Sequence, residues 1–92
     1  MTTYEVLLSS TAAKEFKSLQ KMEQNRIREK INDLAKDPYN NSQRLDTKKL
    51  TGTGRIYYRL RVGDYSVIYF LDDDGIKVVR IATRSDAYSW LD

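Results

Sequence analysis

The chain has 92 residues, with 16 Lys or Arg against 13 Asp or Glu and neither histidine nor cysteine. It is therefore read as one domain with a single modest core, with no disulfide, no common zinc site and no Ser-His-Asp site. Its 40% hydrophobic and 32% charged content is that of a folded globular domain rather than a disordered chain. No apolar run approaches the roughly 18 residues of a membrane span. The start "MTTYEVLLSS" lacks the basic region of a signal peptide. The expectation is a cytoplasmic protein that engages no membrane, with residues 1–92 as one domain.

"YEVLL" (4–8) is a short run of strand formers. The following "SS" supplies a helix N-cap, and Ala12, Ala13, Phe16 and Leu19 recur at helical spacing. In "MEQNRIREKINDLAKD" the residues Ile27, Ile31, Leu34 and Ala35 make one apolar stripe on an otherwise charged helix. Asp37-Pro38 ends it, because the residue before proline avoids the α region. The two segments predict a helical hairpin joined near Lys21–Glu23. Residues 39–54 are polar and rich in turn formers, a loop with a short strand at "KKL".

Three strands follow. In "RIYYRLRV" (55–62), Ile56, Tyr58, Leu60 and Val62 alternate with Arg55, Tyr57, Arg59 and Arg61. "GD" turns the chain into "YSVIYFL" (65–71), almost wholly apolar as a central strand should be. "DDDG" makes a second turn, with Asp74-Gly75 suited to a type I′ hairpin, and "IKVVRIATR" (76–84) is the last strand. The tail "SDAYSWLD" is read as a helical turn. The order is β-α-α-β-β-β, which predicts an α+β fold: an N-terminal strand and helical hairpin packed on one face of an antiparallel sheet.

Charge is unevenly spread. Residues 44–61 hold six Lys or Arg and one Asp, while 62–75 hold four Asp and no base. A concentrated basic stretch raises affinity for polyanions, nucleic acid foremost; a plain solvated surface has the same composition. "GTG" at 52–54 is no phosphate loop, since it lacks the Lys-Ser/Thr pair and opens a strand. The three aspartates at 72–74 sit at a hairpin tip and do not converge on a metal, so no metal and no cofactor is expected. What remains is arginine, lysine and tyrosine. Arg59, Arg61 and Tyr57 share one strand face, and Arg80 and Arg84 share a face at i and i+4. Tyr88 and Trp90 follow the strand end, where rings can stack on bases. Guanidinium groups grip phosphate bidentately and stay charged, which suits stabilisation of a phosphorane-like transition state. Each arginine alone is the ordinary solvent face of a sheet; their conjunction points to a substrate face.

The frame "KKLTG…YYRLRVGDYSVIY…IATRSDAY" resembles the RelE/ParE superfamily of bacterial and archaeal toxins, over nearly the whole chain. "YRLRVGDY" with "IY" after it and the terminal "R.DAY" are the most specific parts. The resemblance implies a microbial RNase-like fold and a cognate antitoxin that wraps the toxin. RelE-type members enter the ribosomal A site and cut mRNA by 2′-hydroxyl attack on the scissile phosphate, without metal, using Lys, Arg and Tyr in place of histidines. ParE-type members instead poison DNA gyrase. Carried over by position, Arg84 matches the phosphate-stabilising arginine at the end of the last strand. Tyr88 matches the C-terminal tyrosine that positions substrate, and Arg59 a catalytic lysine or arginine. Lys48, Lys49, Arg55, Tyr57, Arg61 and Arg80 are the expected RNA-binding residues. Two positions depart from the family: Tyr57 stands where a second lysine is usual, and Ser66 where "GDYR" supplies a phosphate-binding arginine. Arginine does not give up its proton near neutral pH, which leaves Tyr57, Tyr88 and Lys49 as the candidate general bases. Three readings follow: a ribosome-dependent mRNA endonuclease, attenuated if Ser66 is not compensated; a gyrase inhibitor; or an RNA-binding relic.

Overall fold

The apolar runs assemble into a five-stranded sheet that carries both helices on one face. The computed structural model describes residues 3–50, 54–73, 75–83 and 85–86. Its elements are β1 (Glu5–Leu8), α1 (Ser10–Lys17), α2 (Lys21–Lys36), β2 (Thr47–Leu50), β3 (Tyr57–Val62), β4 (Tyr65–Asp72) and β5 (Gly75–Thr83). The strand order is β1-β5-β4-β3-β2. The α+β class and the helical pair on one face agree with expectation. The sheet itself is mixed, not antiparallel: β2 to β5 form an antiparallel meander, but β1 lies parallel to β5. Short turns force neighbouring strands to be antiparallel, whereas no turn links β1 to β5 across most of the chain, so packing decides their direction.

The helices form where their caps and stripes predict. Ser9 caps α1 by accepting from the Ala12 amide at 3.0 Å. The hairpin joint falls at Ser18–Gln20, earlier than expected, because Gln20 caps α2: its amide donates to Glu23 Oε1 at 3.3 Å, and Gln24 Nε2 donates to the Phe16 and Leu19 carbonyls at 3.0 and 3.2 Å. Ile27, Ile31, Leu34 and Ala35 are all buried against the sheet, in one core with Leu60, Val62, Val67, Tyr69, Ile76, Val78 and Ile81. Ala12, fully buried, lets α1 approach the sheet closely. Asp37 leaves the α region at φ −148°, ψ 66°. Its carboxylate then closes the next turn, accepting from the Asn41 and Ser42 amides and from Ser42 Oγ at 2.6–3.0 Å.

Strand β5 is held on both edges. On the β4 side it pairs from Gly75 with Asp72 to Thr83 with Tyr65, with a bulge at Val79, since Ile68 faces Arg80 while Tyr69 faces Val78. On the other side β1 covers only Gly75 to Val78. Beyond that, Ser9 Oγ donates to the Val79 carbonyl at 3.0 Å and Glu15 accepts from the Ile81 amide at 2.9 Å, so α1 supplies the partners that β1 no longer can. Gly75 is a strand residue, not half of a turn: the strands pair as far as Asp72 and Gly75, which leaves 73–74 as the connection, and Asp74 lies outside the described residues. Its φ is +147°, and a Cβ there would stand 2.2 Å from the Glu5 carbonyl oxygen.

Two outcomes follow. Gly75→Ala must push β1 away from β5 and should lower unfolding free energy by at least about 2 kcal/mol, read from urea denaturation. The donors around Asp37, Ser42 Oγ foremost, hold its carboxyl below its ordinary value of 3.8. Its stabilisation is therefore complete above that value and is lost as pH falls through the lower folded one. Asp37→Asn should abolish that acid-side component of the melting curve.

Candidate nucleic-acid interface

Residues directly opposite on paired strands share a face. The register sets Lys48 against Arg59, Leu50 against Tyr57, Arg61 against Ser66, Arg59 against Ile68, and Ser66 against Ala82. Tyr58, Leu60 and Val62 point into the helix-side core, so these residues line the face turned away from the helices. That face is no bare solvent surface. It holds a second apolar cluster of Leu50, Ile68 and Ala82, with Tyr57 and Val79 against it. Arg59 is only 6% exposed, and Ser66 is fully buried.

The charges on this face are organised by one residue that the sequence reading passed over. Asp46, just before β2, sets Oδ1 3.2 Å from Arg59 Nη2 and Oδ2 3.8 Å from Arg61 Nε, and its carbonyl accepts from the Arg61 amide at 2.9 Å. Its signal was the single acid in the basic stretch 44–61. At the other end of β3, the Arg55 guanidinium lies 4.3 Å over the Phe70 ring, and Tyr57 meets the same ring edge-on at 6.0 Å. Phe70, read as part of a uniform central strand, thus anchors two of the expected contact residues.

The structure gathers some of the expected residues and separates others. Lys48, Tyr57, Arg59 and Arg61 stand together. Lys49, one candidate base, pairs with Tyr58 and so belongs to the opposite face. Arg80 is drawn to α1, where Nε and Nη2 donate to the Glu15 carboxylate at 2.9–3.1 Å. The register after the bulge still sets Arg80 opposite Ile68, on the helix-free face, but its guanidinium is taken up by Glu15 at the β5 edge. Arg84, Tyr88 and Trp90 lie outside the described residues. Ile56, grouped by alternation with Tyr58, Leu60 and Val62, precedes β3 and is 52% exposed. Among the described residues no cluster of three metal-type ligands occurs. A cleft of about 530 Å³ between α2 and the loop after it lies on the helix side. Its lining sets Lys30, Lys36 and Arg44 against Asp33 and Asp37, a mixture with no clear preference for an anion.

The assembled group can bind an anion. Arg59, Arg61 and Lys48 provide fixed positive charge on one face, and arginine keeps its proton at any working pH. Arg61 Nε, beyond hydrogen-bond reach of Asp46, and the Ser66 hydroxyl are buried without a hydrogen bond. Tyr69 cannot serve as a base, because burial, with Tyr58 stacked on it at 5.5 Å, pushes its phenol far up.

A sequence profile of the ParE toxin of type II toxin–antitoxin systems (parDE) matches residues 6–88. No curated protein sequence matches. Among solved structures, the chain resembles the archaeal RelE–RelB complex from Pyrococcus horikoshii OT3, with 35% identity and TM-score 0.74 over 89% of this chain and 96% of that one. It also resembles the RelB–RelE antitoxin–toxin complex from Methanococcus jannaschii, with 30% identity and TM-score 0.71 over 91% and 96%. The Escherichia coli DinJ–YafQ complex, at 20% identity, TM-score 0.75 and coverage of 94% and 98%, shares the fold.

Because the Ser66 hydroxyl is buried and unpaired, Ser66→Ala removes a desolvated polar atom without opening a void. Thermal unfolding should show no loss and a gain of up to about 1 kcal/mol; a loss greater than that would mean the hydroxyl has a partner in solution.

Proposed function

Starting from the fact that the chain belongs to the ParE toxin family of type II toxin–antitoxin systems and is a RelE/ParE superfamily toxin, we propose that it is a metal-independent endoribonuclease that cuts mRNA in the ribosomal A site. The observation that carries this reading is the grouping of Lys48, Arg59 and Arg61 on the helix-free face of the sheet. In this reading the mRNA 2′-hydroxyl loses its proton and attacks the adjacent phosphorus, the bond from phosphorus to the 5′-oxygen breaks, and that oxygen leaves with a proton, giving a 2′,3′-cyclic phosphate and a 5′-hydroxyl. Arg59 and Arg61 stabilise the charge that gathers on its oxygens, and Lys48, at the exposed edge strand, attracts the flanking backbone. Arg55 and Tyr57, braced on Phe70, flank the same face as a platform for RNA. Arg84 and Tyr88 enter on the sequence resemblance alone, as phosphate-stabilising and substrate-positioning residues. A cognate antitoxin is the second partner, supported by the two archaeal relatives, which are complexes of RelE with RelB.

Gyrase inhibition is the second reading. The ParE profile favours it, and so does Ser66, which places a buried hydroxyl where an arginine would complete the nuclease set.

Toeprinting on translating ribosomes separates the two. The nuclease reading expects cuts in the A site that fall about 10²–10³-fold in Arg59→Ala, the loss typical of a missing transition-state donor. Absence of cuts from both the natural chain and Ser66→Arg would overturn it, and loss of gyrase supercoiling activity in the same preparations would establish the alternative.

A further inference from the structure

We propose that Asp46 is a resident counter-ion of the interface, an internal stand-in for phosphate that RNA displaces, and that it thereby sets the affinity of the face. The proposal rests on the nucleic-acid reading above and adds a regulatory element to that site.

Four observations carry it. First, the carboxylate sits between the two guanidinium groups of β3, the place from which one anion reaches both. Second, its backbone is fixed while its side chain is not. Asn40 holds the preceding residue from both sides, its Nδ2 donating to the Leu45 carbonyl at 2.6 Å and its Oδ1 accepting from the Leu45 amide at 3.1 Å. The Asp46 carbonyl is fixed by the Arg61 amide. The side chain is 55% exposed, so rotation about its own bonds frees the site without unfolding the strand entrance. Third, its contacts are incomplete: one oxygen is within hydrogen-bond distance of Arg59, while the other stands 3.8 Å from Arg61 Nε, which has no hydrogen bond. A phosphate offers more acceptor oxygens than a carboxylate and can give Arg61 Nε the hydrogen bond it lacks. Fourth, Arg59 is buried between Ile68 and Lys48 on the adjoining strands, where charge without compensation is costly. Asp46 helps neutralise it while no RNA is bound. An exposed carboxylate in a partly solvated pair is weakly held, so it yields to a better anion.

The test uses the full chain and a 12-nucleotide single-stranded RNA with 2′-O-methyl groups, which cannot be cleaved by 2′-hydroxyl attack. Asp46→Asn should bind it about fivefold more tightly, the scale of an exposed charge pair. The slope of log K against log salt should steepen by about 0.7, one further phosphate neutralised on a single strand. Asp33→Asn, on α2, makes the same change in net charge and should alter affinity less than about twofold, with no change in slope. Equal effects of the two substitutions, or weaker binding by Asp46→Asn with its melting temperature retained, would overturn the proposal. Carboxyl carbon NMR of the unmutated chain gives an answer independent of folding of the variant: the Asp46 signal should shift on saturation with this RNA while that of Asp33 stays, and an unmoved Asp46 signal overturns it. If neither the natural chain nor Asp46→Asn binds RNA, the role of Asp46 and the RNA reading both fall. If only ribosomal cleavage is absent, the nuclease reading falls alone.

Discussion

Strand β5 must be paired on both edges before either face of the sheet can exist. It is the last strand among the described residues and sits between β1 and β4. Its β1 edge is closed by three different devices in sequence: the parallel ladder from Gly75 to Val78, the Ser9 hydroxyl at Val79, and the Glu15 carboxylate at Ile81. Ser9 does two jobs with one oxygen, capping α1 and binding the strand, so the start of the helix and the edge of the sheet are positioned together. Gly75 makes the first device possible, because no side chain can stand where the Glu5 carbonyl passes.

From that closure follows the division of the molecule into two unlike faces. One is an ordinary apolar core under two helices. The other joins a small apolar cluster to a row of cations, of which Arg59 lies inside the low-dielectric region. This changes what charge means at the site. A guanidinium as shielded as Arg59 is costly without compensating charge, so an anion at this place is stabilising. Asp46 supplies one, and a phosphate would compete for the same position. The tension between stabilising the empty protein and leaving the site available is built into the register of β2 on β3.

Much of the fold was legible in the sequence. The α2 stripe at Ile27, Ile31 and Leu34 and the Ser9 cap depend on local periodicity and local hydrogen bonds, and both are present in the structure. The β3–β4 hairpin was legible for the same reason. The parallel direction of β1 was not, because it is decided by contacts between residues roughly 70 positions apart in the chain, with no turn to signal them. At the candidate site, Tyr57, Arg59 and Arg61 could be placed on one face by alternation alone, and Lys48 joins them only through the register of β2 on β3. The fate of Arg80 could not be read, since the carboxylate that takes its guanidinium, Glu15, comes from a helix 65 residues earlier that packs along the β5 edge.

The sequence by itself determined the α+β class, the order of its elements, the basic character of residues 44–61 and the family to which the chain belongs. These are properties of composition, of short-range pattern and of motif. Only the tertiary structure decided which cations remain together and what they face. It turned Lys49 to the opposite face, gave Arg80 to a helix, buried Ser66 with its hydroxyl unpaired, and set Asp46 between Arg59 and Arg61. The physical reason is that an ion's role depends on its distance to other charges and on its access to water. Both arise from strands brought together across the chain rather than from neighbours along it.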